Sequence, residues 1–327
     1  MEAKTRERRG IRLNHRFGFY LKPRPPFDFE LTVHKPAGWS LFTTSEIFEN
    51  RILWTALHIN DALTGLKLRS RGTTEKPLLK ADVFLRYPAG SEQKEEIRRA
   101  LIEKLTTDED LAGFYALAKK DPILKHCIDG LYGMHDTNPG TLFADATLAI
   151  LLQMATLKRS EEMMECVIRR YGDLAEFDSR KVYTWPTPEN IARLSVQKLG
   201  KCKLGYRAKR LLKLARVLET GDFPTLEELG RLTPEEAKKR LIELPGIGDY
   251  SADILNPHGG FPIDAWSADV FGKLFYGKEP EEGRNAIDTI KAEGIRRWGR
   301  YSWMAFLYVV QDLEGLSRKI GTSLRLQ

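Results

Sequence analysis

Leu244-Pro-Gly-Ile-Gly-Asp-Tyr-Ser-Ala-Asp253, followed by Phe261-Pro-Ile-Asp264-Ala-Trp266, decides how the rest of this chain is read. A hydrophobic-Pro-Gly-hydrophobic-Gly turn between two helical segments aims a row of backbone N–H groups at one spot. Amides so placed at a helix N-terminus bind phosphate. Gly246, Gly248 and Ser251 are the candidate phosphate contacts. Gly-rich turns also cap helices that bind nothing, so Leu244 to Gly248 leave both readings open. The acid at Asp264 shifts the balance toward chemistry.

Two further segments precede the hairpin: Lys203-Leu-Gly-Tyr206-Arg207-Ala-Lys209, and an apolar helix from Leu142-Phe143 to Ile150-Leu-Leu-Gln153. Together the four ordered segments resemble the helix-hairpin-helix (HhH-GPD) DNA glycosylase superfamily. The likeness covers roughly 120 to 313, is most specific from 203 to 271, and is nearest the alkyl-purine (3-methyladenine) and 8-oxoguanine branches. It implies an antiparallel sheet followed by two helical subdomains with a lesion cleft between them. One subdomain is contiguous over about 132 to 256, and the other combines the preceding segment with the C-terminal helices.

The 327 residues can bury a large core and fill two or three domains. Net charge is +7 and the pI about 9.1, with basic stretches at Lys4 to Arg16, Arg207 to Arg216 and Arg296 to Arg300. This suits a polyanionic partner, although charge runs are usually solvated faces. Cys127, Cys166 and Cys202 are far apart with no CxxC pair, which argues against a disulfide framework and a structural zinc site. No Cys follows Cys202, so the C-terminal four-cysteine iron-sulfur loop of the endonuclease III branch is absent from the sequence. Met1 to Arg9 is polar, and no run of about 18 apolar residues follows. The expectation is a monomeric, intracellular protein that works with DNA, in the cytoplasm or nucleoid if the source is prokaryotic, with no membrane partner.

The fold class is α+β. A basic, Pro-rich segment (1 to 26) precedes an antiparallel sheet domain (27 to 106). Its β-favouring runs are Phe27 to Val33, Ile52 to Ile59, Leu63 to Arg69 and Ala81 to Tyr87, broken at Lys35-Pro-Ala-Gly38 and Arg71-Gly72. A helix over Glu92 to Lys104 opens an otherwise helical remainder (107 to 327), with the hairpin at 234 to 256 and the Asp264 loop at 257 to 266. Helix starts are legible at Asp121-Pro, Thr187-Pro and Thr233-Pro-Glu-Glu236, the last pairing an N-cap Thr with Glu at N3. Asp249 is the expected cap of the second hairpin helix.

Breaking an N-glycosidic bond builds positive charge on the sugar, and a fixed carboxylate beside C1′ stabilises it. Asp264 is the candidate; its plainer role is N-cap of the helix from Ala265, and one residue can do both. Asp249, Asp253 and Asp269 are rivals, of which Asp253 and Asp269 fit exposed or salt-bridged helix positions. Family members that also nick the strand carry a lysine two residues after the second hairpin glycine. Tyr250 stands there, and a phenol forms no Schiff base. Tyr250, with Trp266 and Trp303, is a base-pocket candidate; the set Trp298, Tyr301, Trp303, Phe306 and Tyr308 is otherwise ordinary core. A glutamine that reads the base in 8-oxoguanine enzymes is replaced by Ala305. The resemblance aligns Gln153 and Met154 with the loop that fills the vacated stack, and Tyr206 and Arg207 with the wedge and the reader of the opposite base. His258 is a loop histidine within reach of phosphate, whereas His34, His58, His126 and His135 show no ligand spacing. By resemblance alone, the carbonyls of Leu244 and Ile247 hold K⁺ or Na⁺; no other cofactor is expected.

The reading is a monofunctional DNA glycosylase that flips an alkylated purine such as 3-methyladenine from damaged double-stranded DNA. Two others stay open. One is removal of oxidised or deaminated purines (8-oxoguanine, hypoxanthine), with lyase chemistry through Lys203, Lys209 or Lys273. The other is a non-catalytic binder of DNA structure.

Overall fold

The computed structural model describes residues 10–35, 45–278 and 284–324; Met1 to Arg9 and the expected break at Pro36 to Gly38 lie outside them. Eight strands are described: β1 Ile11–Arg12, β2 His15–Leu21, β3 Ile47–Glu49, β4 Ile52–Ile59, β5 Ala62–Ser70, β6 Leu79–Leu85, β7 Leu174–Phe177 and β8 Arg180–Tyr183. The helices are α1 Phe29–Val33, α2 Ser91–Lys104, α3 Ala112–Ala118, α4 Leu142–Leu152, α5 Leu157–Tyr171, α6 Pro188–Ala192, α7 Val196–Gly200 and α8 Arg207–Glu219. They continue with α9 Leu226–Gly230, α10 Pro234–Ile242, α11 Asp249–Leu255, α12 Ala265–Tyr276, α13 Arg284–Trp298, α14 Ser302–Gln311 and α15 Leu313–Ile320.

The antiparallel sheet runs β2-β6-β5-β4-β3. Side chains alternate across a strand, and both faces of this sheet are covered. Leu53 and Leu57 of β4 and Leu79, Ala81 and Val83 of β6 meet Ile97 and Leu101 of α2 on one face. Trp54, Ala56 and Phe84 face Ala175, Phe177 and Val182 on the other. These last residues belong to a second sheet, β1-β7-β8, in which β1 runs parallel to β7. The two sheets approach so closely that a Cβ on Gly65 would lie 2.7 Å from the Phe177 ring.

Three expectations change here. The sheet domain begins with β2, inside the segment assigned to the basic entry, and residues 174 to 183 form a hairpin within the helical part. Phe27 to Val33 is not a strand. Asp28 Oδ1 accepts from Leu31 N at 3.0 Å and caps α1, a local bond that outweighs the β preference of the Phe-rich run.

The helical part has two cores. One collects Phe143 to Leu255. The other joins Leu111 to Met134 with Phe261 to Leu324, as the resemblance implied. The chain passes between them at Asn256 to Gly260, so α11 belongs to the first body and Asp264 to the second. Within the first body, Cys166 on α5 and Cys202 after α7 are joined in a disulfide with Cα atoms 5.4 Å apart, while Cys127 is free and buried. The sequence argument against a disulfide fails because α5 and the turn after α7 pack side by side. Among the described residues no helix is long and apolar enough to cross a membrane.

Thiol titration of the denatured, unreduced protein is expected to count one thiol, Cys127; three would contradict the pairing. Reduction should lower stability by about 2–4 kcal/mol, from the chain freedom returned to the unfolded state.

Candidate active site

The hairpin forms because both of its helices start and stop sharply. Thr233 and Glu236 make a reciprocal capping box with Pro234 at the first turn of α10. The chain then turns at Gly246, whose φ of +89° favours glycine. Gly248, not Asp249, is the N-cap of α11, and no side chain caps it, leaving the first amides of that helix without an intrahelical partner. Space beside Gly248 is open, with nothing within 4 Å of where a Cβ would stand.

Asp249 is instead spent on an ion cluster. Its carboxylate meets Lys238 Nζ at 2.5 Å and also Lys291. The same two lysines hold Asp253, 2.7 Å from Lys238. Asp253 is 3% exposed, so its charge needs these partners. Lys238 and Asp253 lie in the first body and Lys291 on α13 of the second, so the cluster ties the bodies together. Burial acts to lower the Lys238 ammonium, but its bonds to Asp249 and Asp253 outweigh that and hold it above its ordinary value. Asp269 is exposed on α12.

Beside the hairpin lies an open depression of about 610 Å³ lined by Gln153, Met154, Tyr206, Arg210 and Gly246 to Ser251. Three segments distant in sequence thus meet at one place. Met154 stands just past the C-cap of α4, with φ of +46° and 93% of its surface exposed. Tyr206 is half exposed, with the guanidinium carbons of Arg207 and Arg210 at 4.6 and 4.5 Å from its ring centre.

Gln153 departs from the aligned hole-filling role. Its Nε2 donates to Gly246 O at 2.7 Å and to Ser251 Oγ at 3.1 Å, and its Oε1 accepts from Arg210 at 2.6 Å. Its main-chain oxygen accepts from Tyr206 Oη at 3.3 Å and from the Arg207 guanidinium. Every polar group of the side chain is engaged, so Gln153 braces α4 and α8 against the hairpin turn. Arg207, the aligned reader of the opposite base, is 8% exposed and turned inward onto Gln153. Ser251, expected on phosphate, is 1% exposed with its hydroxyl on Gln153. Arg210 lines the depression and was missed. Its position one turn after Tyr206 on the same helix face was the available signal.

Asp264 is the N-cap of α12. Its Oδ1 accepts from Ser267 N at 2.8 Å and Ser267 Oγ at 2.6 Å, while its own N–H donates to Ser267 Oγ at 2.8 Å. The carboxylate is held from the helix side and half exposed. Tyr250, in the first turn of α11, lines the depression. Burial, and then the charge of Asp264, push its phenol above the usual range, so the hairpin tyrosine and the carboxylate share one electrostatic environment. Trp303 donates its Nε1–H to Asp136 at 2.8 Å and backs the loop at Gly259. Trp266 is half-buried against the second core. Neither indole lines the depression, and neither does any lysine. His258 is exposed in the crossing loop. Trp298, Phe306 and Tyr308 are buried in the second core, as ordinary packing requires.

A helix-turn-helix hairpin in one helical body and a helix-capping carboxylate in the other are the two parts that the resemblance in sequence led one to expect. Residues 148–302 match the HhH-GPD superfamily base excision DNA repair protein family, and that stretch of the chain carries the superfamily's sequence. The chain is similar to the DNA-3-methyladenine glycosylase of Bacillus subtilis, 29% identical over 54% of this chain and 60% of that protein; the match thus spans less than two thirds of that relative's length. The probable N-glycosylase/DNA lyase of Methanothermobacter thermautotrophicus is 24% identical over 67% of this chain and 74% of that one. The solved 3-methyladenine DNA-glycosylase of Archaeoglobus fulgidus shares the fold, with a TM-score of 0.74 at 19% identity over 93% of this chain and 100% of that one.

Gln153→Leu strips partners from Arg210, Gly246 and Ser251 and is expected to cost about 1 kcal/mol at this half-buried position. Urea unfolding midpoints check it; an unchanged midpoint would mean the brace carries no stability.

Proposed function

We propose that this protein is a monofunctional DNA glycosylase of base excision repair acting on alkylated purines such as 3-methyladenine. The observation that carries the reading is the pairing of a capped Asp264 with Tyr250 at the hairpin position where a Schiff-base lysine would stand, beside a depression that no lysine lines. An amine nucleophile must shed its proton. The lysines nearest Tyr250, Lys238 and Lys291, are instead bound to carboxylates. Lys203 and Lys209 are exposed, and Lys273 lies on α12.

In this mechanism the amides at Gly246 and Gly248 grip phosphate, and Met154 and Tyr206 enter the gap left by the extruded base. Extrusion costs a few kcal/mol, about what one or two stacking contacts of roughly 1–3 kcal/mol return. Tyr250, Trp266 and Trp303 form the aromatic surroundings of the base. A cationic alkylated purine is a good leaving group and is attracted to aromatic faces, which supports this substrate class. As the C1′–N bond breaks, the base leaves with the bonding pair and Asp264 offsets the charge growing on the sugar. Water then supplies hydroxyl to C1′ and its remaining proton to the medium, leaving an intact abasic strand. The main-chain carbonyls of Leu244 and Ile247 would hold K⁺ or Na⁺. Leu244 O accepts one bond, from Ile247 N at 3.1 Å, so a lone pair remains, and carbonyl oxygens suit a hard cation.

The test is a gel assay on duplexes with single defined lesions, with and without hot alkali. Strand breaks should appear only after alkali, and Asp264→Asn should slow base release on the order of 10²-fold or more. Breaks without alkali would favour the lyase reading that the Methanothermobacter relative's name suggests. Asp264→Asn as active as wild type would remove the catalytic assignment.

A further inference from the structure

The structure assigns the exposed face of α8 as a second DNA-backbone contact, which extends the hairpin grip along one strand through Lys209, Lys213 and Arg216. The inference rests on reading the depression as a DNA site. On α8 the buried positions Arg207, Ala208, Leu211, Leu212, Leu214 and Ala215 face the core. At 100° per residue, the N-cap Tyr206, Lys209, Arg210, Lys213, Arg216 and the exposed Val217 share one face. Tyr206 and Arg210 at its start line the depression, so the cationic row continues directly from it.

These cations have no acid beside them on their own helix face. On other helices several arginines are neutralised one turn away: Arg159 by Glu162 at 3.1 Å, Arg169 by Glu165 at 2.8 Å, Arg231 by Glu227 at 2.5 Å and Arg296 by Glu293 at 2.7 Å. The only acid on α8 is Glu219, its last residue. Lys209, Lys213 and Arg216 form no ion pair with another described residue, and all three are exposed. From Lys209 to Arg216 the helix rises about 10 Å. A DNA strand advances 3.4 Å per phosphate along its axis, so the row reaches about three phosphates. Unpaired point charges at that spacing fit a phosphodiester backbone and carry no base readout.

Counterion release provides the test. Binding of undamaged duplex is measured by fluorescence anisotropy over a salt series for wild type, Lys213→Gln, the triple change Lys209→Gln, Lys213→Gln and Arg216→Gln, and the distant control Lys181→Gln. Each lost phosphate contact lowers the slope of log K against log salt by about 0.9. The single variant should therefore lose about 0.9, the triple about 2.7, and the control nothing. Thermal melts confirm that glutamine at these exposed positions leaves the fold intact. A triple variant with the wild-type slope, or a loss matched by Lys181→Gln, overturns the inference, as does a wild type whose binding ignores salt. A wild type that binds with the expected slope yet releases no base from any lesion duplex sinks the glycosylase reading and leaves this contact standing.

Discussion

Asp253 is the buried charge on which the geometry of the site depends. It is 3% exposed and sits one turn after Asp249, where the chain is about to leave the first helical body for the second. An isolated carboxylate there would cost several kcal/mol. It is tolerated because Lys238 reaches it from α10 and Lys291 from α13. The crossing strand is pinned at the same point, since a Cβ on Gly260 would lie 2.6 Å from Asp253 Cβ. One buried acid thus fixes α10, α11, α13 and the crossing loop together. The distance from the hairpin amides to Asp264 is set by this junction, and not by either body alone.

That junction explains why the site can be split between two bodies without losing definition. The hairpin brings amides and Tyr250; the second body brings Asp264, locked to Ser267 by bonds in both directions. Gln153 does for the end of α4 what Asp253 does for the junction. It binds the turn and α8, and so registers Met154 against the hairpin. Rigid placement is what a glycosidic transition state needs, because a carboxylate that must swing into position gives back part of its electrostatic benefit.

Much of this was legible in the sequence where the physics is local. The Thr233 to Glu236 capping box, the Gly246 turn, the Asp264 cap and the α4 end at Gln153 are each set by a few neighbouring residues, and each lies where the sequence places it. The two-core division followed from the family likeness. What stayed hidden depends on distant partners. The Gln153 bonds reach Gly246 and Arg210, 93 and 57 residues away. Strands β7 and β8 are four residues each, and their pairing in a sheet depends on β1 near the start of the chain, which lies against β7. The Cys166–Cys202 pair likewise needs the packing of α5 to exist. Asp28 shows the opposite failure: a local cap overlooked in favour of the β propensity of its neighbours.

The central claim is that Asp264 and water, without an amine, cleave the bond. The most direct measurement is borohydride reduction during turnover on a lesion duplex, followed by denaturing electrophoresis of the protein with labelled DNA. The account predicts base release with no covalent protein-DNA band. A trapped adduct that disappears on replacing a single lysine would contradict it and identify the missing nucleophile.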